Sequence, residues 1–364
     1  MPGRRAYHPP VLPVKNTAER SGLRTRANSE RKADHIRICL RESVQGRTST
    51  GLERWRLVHQ ALPELHPDDI VTEITVLGRT LRAPLFISAM TGGTEEAAGI
   101  NRNLALAAQR TGVAMVLGSQ RPAVEDPSLE STYRVREWAP DILLFANLGA
   151  VQLNRGYGLE ECLRAVEMVG ADGLALHLNP LQEMLQPEGD RDFRGLAGKI
   201  AAVVRDLGLP VLVKEVGWGL SQRVARLLRE TGVKFLDVAG AGGTSWSEVE
   251  GQRATDESSR RVASAFADWG IPTADSIRET RSAAPDAFVI ASGGIRTGVE
   301  AAKAIALGAD AAGFALPLLE PACRSADDVI EFLETITRQL RLAMLCSGCR
   351  HLADLRAALQ PVAV

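Results

Sequence analysis

Polar side chains follow directly on the apolar run GLAL, in the segment HLNPLQEMLQPEGDRDFRG of residues 177–195. A chain that only had to turn would need Gly, Asn and Pro, whereas this segment adds an amide and a carboxylate, Gln182 and Glu183. Magnesium is usually held by one or two carboxylates together with substrate phosphates, so Glu183 is a predicted Mg²⁺ ligand. Gln182 does not ionise, but it can hold a substrate or pass a hydrogen bond. The competing interpretation is that both residues cap the next helical turn, and His177 is equally compatible with the core.

Paired glycines stand before a predicted helix in SGGIRTGVEAA, residues 292–302, and a neighbouring loop follows in GFALPLL, residues 313–319. Loops of this kind form phosphate sites from backbone N–H groups and a helix N-terminus. Glycine lets the backbone approach phosphate oxygens closely, and Arg296 adds a cation. The two stretches therefore predict a phosphate site, with an ordinary strand–helix turn as the alternative.

Lys214 lies in the apolar run VLVKEVG, where a lysine is rarely left unpaired. It is compatible with a Schiff-base nucleophile, with a cation facing an electron-rich cofactor, and with an ion pair to Glu215 or Asp237. Asn147 in FANLGA and Ser119 in LGSQR add neutral hydrogen-bonding groups at neighbouring strand ends. This mixture suits a planar heterocycle such as a flavin.

Two further cationic sets indicate a second phosphorylated ligand. Arg121 lies in GSQRPAVEDP, and Arg31, Lys32 and His35 lie in SERKADHIRICL. Clustered Arg and Lys beside amides suit phosphate recognition in an almost neutral protein. For Arg31 and Lys32 a solvated tail is an equally weighted alternative.

The elements that must position these residues repeat along the chain. Eight short apolar runs without alternation predict parallel strands buried on both faces; they are PLFISAM (84–90), VAMVLG (113–118), ILLFANLG (142–149), GLALHLN (173–179), VLVKEVG (211–217), FLDVAG (235–240), FVIASGG (288–294) and AAGFALPL (311–318). Stretches of helical periodicity lie between them, over residues 99–112, 159–171, 220–232 and 298–309.

This pattern predicts an α/β fold, a (β/α)₈ TIM barrel with an N-terminal extension and long top-face loops. A doubly wound sheet is the competing topology, but MTGGTEE lacks the G-x-G-x-x-G spacing expected there. Barrel enzymes place their chemistry at the C-terminal ends of the strands, where these polar residues lie. Two long connections, residues 179–197 and 241–271, are predicted to be active-site lids, with exposed insertions as the alternative.

Composition limits the function classes. The 364 residues are 45 % hydrophobic and 24 % charged with a net charge of -1, which gives no long-range attraction to nucleic acid or a membrane surface. No apolar run reaches the ~18 residues of a membrane span, and the N-terminus does not read as a secretory signal. The composition of residues 1–30 predicts a disordered basic tail, with a targeting role as the alternative. Residues 31–364 are predicted to form a single domain. The sparse cysteines, including Cys346 and Cys349, predict reduced structural thiols in a cytoplasmic protein, with a metal or redox site at the Cys346–Cys349 pair as the alternative.

Taken together, the motifs resemble the type 2 isopentenyl-diphosphate isomerases, which are flavin enzymes on a (β/α)₈ barrel. The matching pieces run in order from residue 31 to about residue 319; they are RKADHI, SAMTGGT, LGSQRPAVEDP, ANLGA, HLNPLQEMLQPEGDRDFRG, KEVGWG, AGAGGTSW and SGGIRTG followed by GFALPLL. Members interconvert isopentenyl and dimethylallyl diphosphate in isoprenoid biosynthesis, and they need FMN, Mg²⁺ and a reductant, typically NADPH.

The resemblance implies roles for individual residues. FMN would be held by Ala89, Met90, Thr91, Ser119, Asn147, Lys214, Thr244, Gly293, Gly294, Arg296, Ala315 and Leu316. The prenyl diphosphate would be held by Arg31, Lys32, Ser119, Gln120, Arg121 and Gln182. Glu183 would ligate Mg²⁺, Gln182 would act near the prenyl group, and reduced FMN would serve as the acid/base catalyst. A homo-oligomer, tetramer or octamer, is expected.

Three rival functions stay open. An FMN-dependent 2-hydroxy-acid oxidase or dehydrogenase would need a His base with an Arg for the carboxylate, and His177 is the strand-end His. A Schiff-base aldolase would use Lys214. A non-catalytic flavoprotein or scaffold would not explain the polar strand ends.

Overall fold

The computed structural model describes residues 30–362, so the predicted basic tail lies outside the described residues except for Glu30. The chain before the barrel forms one α-helix, two short 3-10 helices and three short strands: α1 (30–41), 3-10 helices at Leu52–Arg54 and Pro67–Asp69, β1 (Trp55–Leu57), β2 (Ile74–Val76) and β3 (Arg79–Leu81). Strands β2 and β3 pair antiparallel as a hairpin.

Eight parallel strands then close into a barrel in the order of the chain. They are β4 (Leu85–Ile87), β5 (Ala114–Val116), β6 (Leu144–Gly149), β7 (Gly173–Leu178), β8 (Val211–Glu215), β9 (Phe235–Asp237), β10 (Phe288–Ala291) and β11 (Ala311–Phe314). Each lies within one of the eight predicted runs, and β11 pairs with β4 to close the sheet. The predicted (β/α)₈ barrel is confirmed.

Helices surround the barrel and continue beyond it. They are α2 (Glu95–Thr111), α3 (Arg121–Glu125), α4 (Leu159–Glu167), α5 (Pro180–Leu185), α6 (Leu196–Asp206), α7 (Gln222–Glu230), α8 (Trp246–Arg253), α9 (Glu257–Ser264), α10 (Thr273–Ala283), α11 (Gly298–Ala306), α12 (Leu316–Arg324), α13 (Ala326–Cys346) and α14 (Leu355–Ala358). A last strand, β12 (Leu359–Pro361), pairs antiparallel with β1. Within residues 30–362, no helix combines the length and apolarity needed to cross a membrane.

The two long top-face connections contain helices that the sequence pattern did not indicate. Residues 179–197 hold α5, and residues 241–271 hold α8 and α9. Helix α9 begins where the Asp256 side chain accepts a hydrogen bond from the Ser259 backbone N–H, 2.9 Å away. The connections are therefore partly helical rather than open loops.

Alternation along the strands divides the barrel interior into layers. Phe86, Phe145, Phe235 and Phe288 pack against one another near the strand starts, with centroid separations of 5.7–6.1 Å. The β2–β3 hairpin packs on this cluster and completes an apolar floor. Two residues further along, Phe86, Phe145 and Phe235 are followed by Ser88, Asn147 and Asp237, whereas Phe288 is followed by a polar residue only four residues further along, at Ser292. The apolar floor thus supports a polar layer at the opposite end of the barrel.

Gly298 fixes the packing of α11 against α13. Its N–H donates to the Gln339 side chain at 2.7 Å, and a Cβ at this position would overlap the Ile336 carbonyl and lie 2.5 Å from the Leu340 nitrogen. Only a residue without a Cβ allows the two helices to approach this closely.

We expect Gly298→Ala to lower the free energy of unfolding by about 1–3 kcal/mol, because the added methyl group forces α11 away from α13. The matched control is Gly99→Ala, at an exposed position of α2 where an added Cβ meets no atom within 4 Å. That control is expected to stabilise the protein by about 1 kcal/mol through helix propensity. Urea denaturation measures both, and equal effects of the same sign would contradict the packing argument.

Candidate active site

A single polar layer forms where the barrel strands end. Adjacent strands place His177 beside Lys214 and Lys214 beside Asp237 in register. The Lys214 ammonium donates to the Glu215 carbonyl oxygen at 2.6 Å and lies 3.9 Å from an Asp237 carboxylate oxygen. Asp237 also accepts a 2.6 Å hydrogen bond from the Ser292 hydroxyl. Lys214 therefore has the Asp237 partner that the sequence allowed.

His177 is a neutral member of this layer. Its Nδ1 lies 2.9 Å from the Asn147 Oδ1, so Nδ1 carries the proton and Nε2 is the free acceptor. Burial, with the nearby charge of Lys214, lowers the pKa of His177 to about 3. The side chain also borders a cavity, so it is more than a core residue.

Two adjoining cavities open above the polar layer. The first has a volume of ≈ 130 Å³ and runs along the glycines that follow β9 and β10, and we call it the glycine cavity. The second has a volume of ≈ 110 Å³ and is bordered by Arg31, Lys32 and Arg121, and we call it the cationic cavity. Their shared wall consists of Lys32, His35, Ala89, Met90, Lys214, Val216 and Trp246.

Close contacts between strand-end loops explain the glycines. Gly293 and Gly294 have φ angles of 99° and 76°, in the left-handed region. A Cβ on Gly293 would lie 2.5 Å from the Gly240 nitrogen, and one on Gly243 would lie 2.5 Å from the Gly294 nitrogen. These glycines therefore serve the packing of two loops as well as the backbone approach to a ligand that the sequence predicted.

Helix α1 brings cations to the mouth, so the solvated-tail alternative for Arg31 and Lys32 is not what the structure shows. The Arg31 guanidinium is buried and donates to the Gln186 side chain at 3.0 Å. Burial, followed by the charges of Arg31 and Arg121, lowers the pKa of Lys32 to about 8. Arg121 also pairs with Glu125 at 2.9 Å. Three cations around one cavity repel each other, and an anionic ligand would relieve that repulsion.

Helix α5 holds Gln182 and Glu183 against the cationic cavity. The Asn179 amide donates to Gln182 Oε1 at 3.1 Å and to Glu183 Oε1 at 3.0 Å. Glu183 Oε2 accepts from the Asp190 backbone N–H at 2.6 Å. A carboxylate has about four acceptor positions, so Glu183 keeps lone pairs for a further partner.

A buried acid that the sequence reasoning missed ties these helices together. Glu250 on α8 accepts hydrogen bonds from His35 at 3.0 Å, from Gln182 at 3.3 Å and from Gln186 at 2.6 Å. Burial alone would raise the pKa of Glu250, but the hydrogen bond from His35 and the charge of Arg253 contribute to lowering it to about 2. Burial lowers the pKa of His35, and its hydrogen bond to Glu250 opposes that shift.

The sequence carried only a weak signal for this acid. Trp246 and Val249 stand three residues apart beside Glu250 and indicate a helical face, although the surrounding segment is rich in Gly, Ser and charge. Asp190 was also missed. Its carboxylate forms ion pairs with Arg121 at 3.3 Å and with Arg155 at 3.0 Å. Its position after a Gly in a charged run gave no indication of burial.

Most of the predicted residues meet at the mouth. The glycine cavity is bordered by Ala89, Met90, Thr91, Lys214, Thr244, Gly293, Gly294, Arg296, Ala315 and Leu316. The cationic cavity is bordered by Arg31, Lys32, Ser119, Arg121, Asn147, Gln182 and Glu183. Asn147, predicted at the flavin, and Ser119, predicted at both the flavin and the substrate, thus border the cationic cavity.

Gln120 does not border either cavity, and its role at the substrate stays a prediction. The side chain is fully buried, its Nε2 donates to the Ala165 carbonyl at 2.7 Å, and its Oε1 accepts from the Asn147 N–H at 2.8 Å. Both ends of the amide are used within the protein, so Gln120 braces β6 against α4. Cys346 and Cys349 are free thiols remote from the mouth.

Comparison with known proteins gives the class first. The family described as FMN-dependent dehydrogenase matches residues 175–361. A solved mandelate oxidase with (S)-2-phenylpropionate aligns with a TM-score of 0.60 and 20 % identity, covering 93 % of this chain and 98 % of that chain. A flavocytochrome b2 variant with sulfite bound aligns with a TM-score of 0.65 and 18 % identity, covering 90 % and 82 %. At these identities the likeness shows a shared fold.

Curated relatives give the particular family. The chain is 53 % identical over 327 residues to the isopentenyl-diphosphate delta-isomerase of Nostoc sp., covering 90 % of this chain and 93 % of the relative. It is 54 % identical over 326 residues to that of Synechocystis sp., covering 89 % and 93 %, and 52 % identical over 330 residues to that of Stutzerimonas stutzeri, covering 90 % and 95 %. The chain belongs to the isopentenyl-diphosphate delta-isomerase family.

Replacing Glu250 by Gln tests the buried carboxylate. We expect Glu250→Gln to lower the free energy of unfolding at pH 7 by about 1–3 kcal/mol, because Gln cannot accept from all of the donors. The folded pKa is about 2 and lies below the unfolded value, so the carboxylate stabilises the fold at neutral pH and loses that effect as pH falls from about 5 towards 2. The difference in free energy of unfolding between the wild type and Glu250→Gln should therefore become smaller as the pH falls.

Urea denaturation from pH 7 to pH 3 measures this gap. Glu331→Gln, at an exposed position of α13, is the matched control and is expected to match the wild type at every pH. A gap that stays constant with pH would show that Glu250 is not the ionised centre of the network.

Proposed function

We propose that the protein interconverts isopentenyl and dimethylallyl diphosphate, with reduced FMN as acid/base catalyst and Mg²⁺ on the diphosphate. The observation that carries the proposal is the pair of adjoining cavities at the barrel mouth, one bordered by glycines and one by cations. One cavity fits a flavin mononucleotide and the other a second phosphorylated ligand. The family of the curated relatives supports this substrate class.

The glycine cavity fits FMN. Backbone groups of Gly293 and Gly294 would hold the phosphate, together with the N-terminus of α12 at Leu316. The buried hydroxyl of Thr91 has no hydrogen-bond partner within residues 30–362 and suits a polar group of the cofactor. Lys214 on the shared wall would face the ring. When bound and reduced, FMN supplies a proton donor and an electron-rich face that stabilises positive charge.

The cationic cavity fits a diphosphate with one magnesium ion. Glu183 is the one acidic residue among the described residues that border the cationic cavity, so it would supply the carboxylate. Magnesium commonly takes only one carboxylate from the protein, and its other ligands are substrate phosphates and waters. The buried side-chain oxygens Asn179 Oδ1 and Gln152 Oε1 have no partner within residues 30–362 and suit metal-bound waters.

The remaining mouth residues position the reacting tail. Moving the double bond requires adding a proton at one carbon and removing one at another, through a cation-like transition state. His177, with its pKa of about 3, is neutral at pH 7, and Glu250, with its pKa of about 2, is ionised, so neither is a suitable acid. The Trp246 ring borders both cavities and offers a π-face to positive charge, and Gln182 orients or relays a proton beside it.

Net hydride transfer is the second candidate, because the family description includes dehydrogenases. His177 Nε2 is the free acceptor at the mouth, but its pKa of about 3 makes it a weak base. A 2-hydroxy acid would have to place its carboxylate in the cavity that Glu183 also borders, which opposes binding without a metal. The isomerase is therefore the better-supported function.

The proposal extends to NADPH as the reductant, a cytoplasmic location and a homo-oligomer, tetramer or octamer. All five cysteines are free thiols, which accords with a reducing compartment. Residues 31–364 would act as one FMN-binding domain.

Purified protein with FMN, Mg²⁺ and dithionite or NADPH should convert isopentenyl diphosphate into dimethylallyl diphosphate without consuming reductant in proportion. Gln182→Ala should lower kcat about 100-fold or more, because the amide that contacts the reacting tail is gone, while flavin absorbance stays unchanged. Gln109→Ala, an amide remote from the mouth that contacts Asp141, is the control. Stoichiometric oxidation of a 2-hydroxy acid in place of isomerisation would favour the second candidate.

Glu183→Gln should raise the Mg²⁺ concentration for half-maximal activity about tenfold or more, because a neutral amide oxygen is a weaker magnesium ligand. FMN binding, followed by fluorescence, should not change. Glu167→Gln on the outer helix α4 is the matched control. An unchanged magnesium requirement in Glu183→Gln would remove Glu183 from the metal site.

A further inference from the structure

A groove lies on the face of the barrel opposite the active-site mouth. It is formed by the end of α2, the last turns of α13 and the chain before the barrel, and four of its residues are Arg82, Arg110, Arg338 and Arg341; we call it the arginine groove. Arg82 stands just before β4 and Arg110 just before β5, so the groove is at the N-terminal ends of the strands. Its volume of ≈ 450 Å³ exceeds that of either mouth cavity and falls in the range typical of ligand sites.

The groove carries a concentrated positive charge. Glu334 is the one acidic residue among its lining residues, and within residues 30–362 none of the four guanidiniums forms an ion pair with a carboxylate. Asp328, another acid of α13, pairs with Arg324 outside the groove and does not neutralise these arginines. Four like charges around one groove cost stability when nothing neutralises them.

Two of the arginines are held in place. The Arg341 guanidinium donates to the Ile70 carbonyl at 2.8 Å and to the Pro67 carbonyl at 2.9 Å. The Arg82 stem packs on Gly112, where an added Cβ would lie 2.8 Å from Arg82 Cγ, and its Nη1 lies 3.4 Å from the Arg110 carbonyl. A pre-positioned guanidinium loses little entropy when it binds an oxyanion.

Helix ends explain only part of this arrangement. Arg110 in the last turn of α2 and Arg341 on the backbone carbonyls are favourable placements for cations. Arg338 lies in the interior of α13 and is exposed, and no hydrogen bond or ion pair fixes it among the described residues. An apolar strip continues from it, with the Leu342 side chain 50 % exposed and Leu345 beside it.

We propose that the arginine groove is a second, non-catalytic site for a diphosphate that carries a hydrocarbon tail. Arginine forks match phosphate oxygens in a bidentate manner, and the leucine strip would cover the tail. The choice of a prenyl tail rests on the proposed function, whose substrate and product are prenyl diphosphates, and Leu342 and Leu345 favour a tail long enough to reach both. The charge and volume of the groove do not depend on that function.

Isothermal titration of the full chain with geranyl diphosphate, without reductant, tests the site. Two binding events per chain are expected, one at the mouth and one at the groove. Arg110→Ala combined with Arg338→Ala should weaken the groove event about 100-fold. Arg31→Ala should weaken the binding of geranyl diphosphate at the active-site mouth and leave its binding at the arginine groove unchanged. Inorganic pyrophosphate, which lacks the tail, should bind the groove at least tenfold more weakly.

The matched control is Arg223→Ala combined with Arg226→Ala, two exposed arginines of α7 that also lose two positive charges. It should keep both binding events. Leu342→Asp is a second groove variant, and it should weaken the geranyl diphosphate event more than the pyrophosphate event.

Wild-type binding by the Arg110/Arg338 variant would overturn the proposal. So would a single event abolished by Arg31→Ala. A change in oligomeric mass in the groove variant, measured by light scattering without any change in ligand binding, would assign the groove to a contact between copies of the chain. Failure of the isomerase assay with two binding events retained would count against the proposed function and leave the groove site standing.

Discussion

Barrel closure combined with the two-residue alternation of each strand is the constraint on which the site depends. Neighbouring strands deliver their last inward side chains at one height, so His177, Lys214, Asp237 and Ser292 share a layer although they are far apart in sequence. The same alternation places the phenylalanine floor beneath them. Burial then separates the charge states in the layer, with a neutral imidazole beside a lysine paired to a carboxylate.

The buried carboxylate of Glu250 provides a second constraint, because it holds α1 over the mouth of the barrel. Helix α1 brings Arg31 and His35 over the cavities, and the cost of burying the Glu250 charge is offset by three donors, one on α1 and two on or directly after α5. The network joins α1, α5 and α8, so the substrate-side residues are positioned by a single shared acceptor. Gln182 depends on this acceptor through its amide nitrogen, while its carbonyl oxygen is fixed by Asn179.

The barrel was predictable because its signal is local. Each strand is a short apolar run of a kind that buried parallel strands require, and polar side chains at the ends of those runs marked the mouth. The role of Gln120 was not predictable, because it depends on two backbone groups 27 and 45 residues away in the chain. Glu250 was missed for the same reason, since His35 is 215 residues distant. Local periodicity carries no information about such pairings.

The position of α1 has a kinetic consequence. Lys32 and His35 border both cavities, so α1 forms part of the cover over any bound molecule. A movement of α1 away from the barrel would widen the path from the cavities to solvent, and it would change the dissociation rate of a bound molecule more than its contacts with the barrel. Residence time would then depend on α1 and its anchor at Glu250, whereas equilibrium affinity would also depend on the residues at the strand ends.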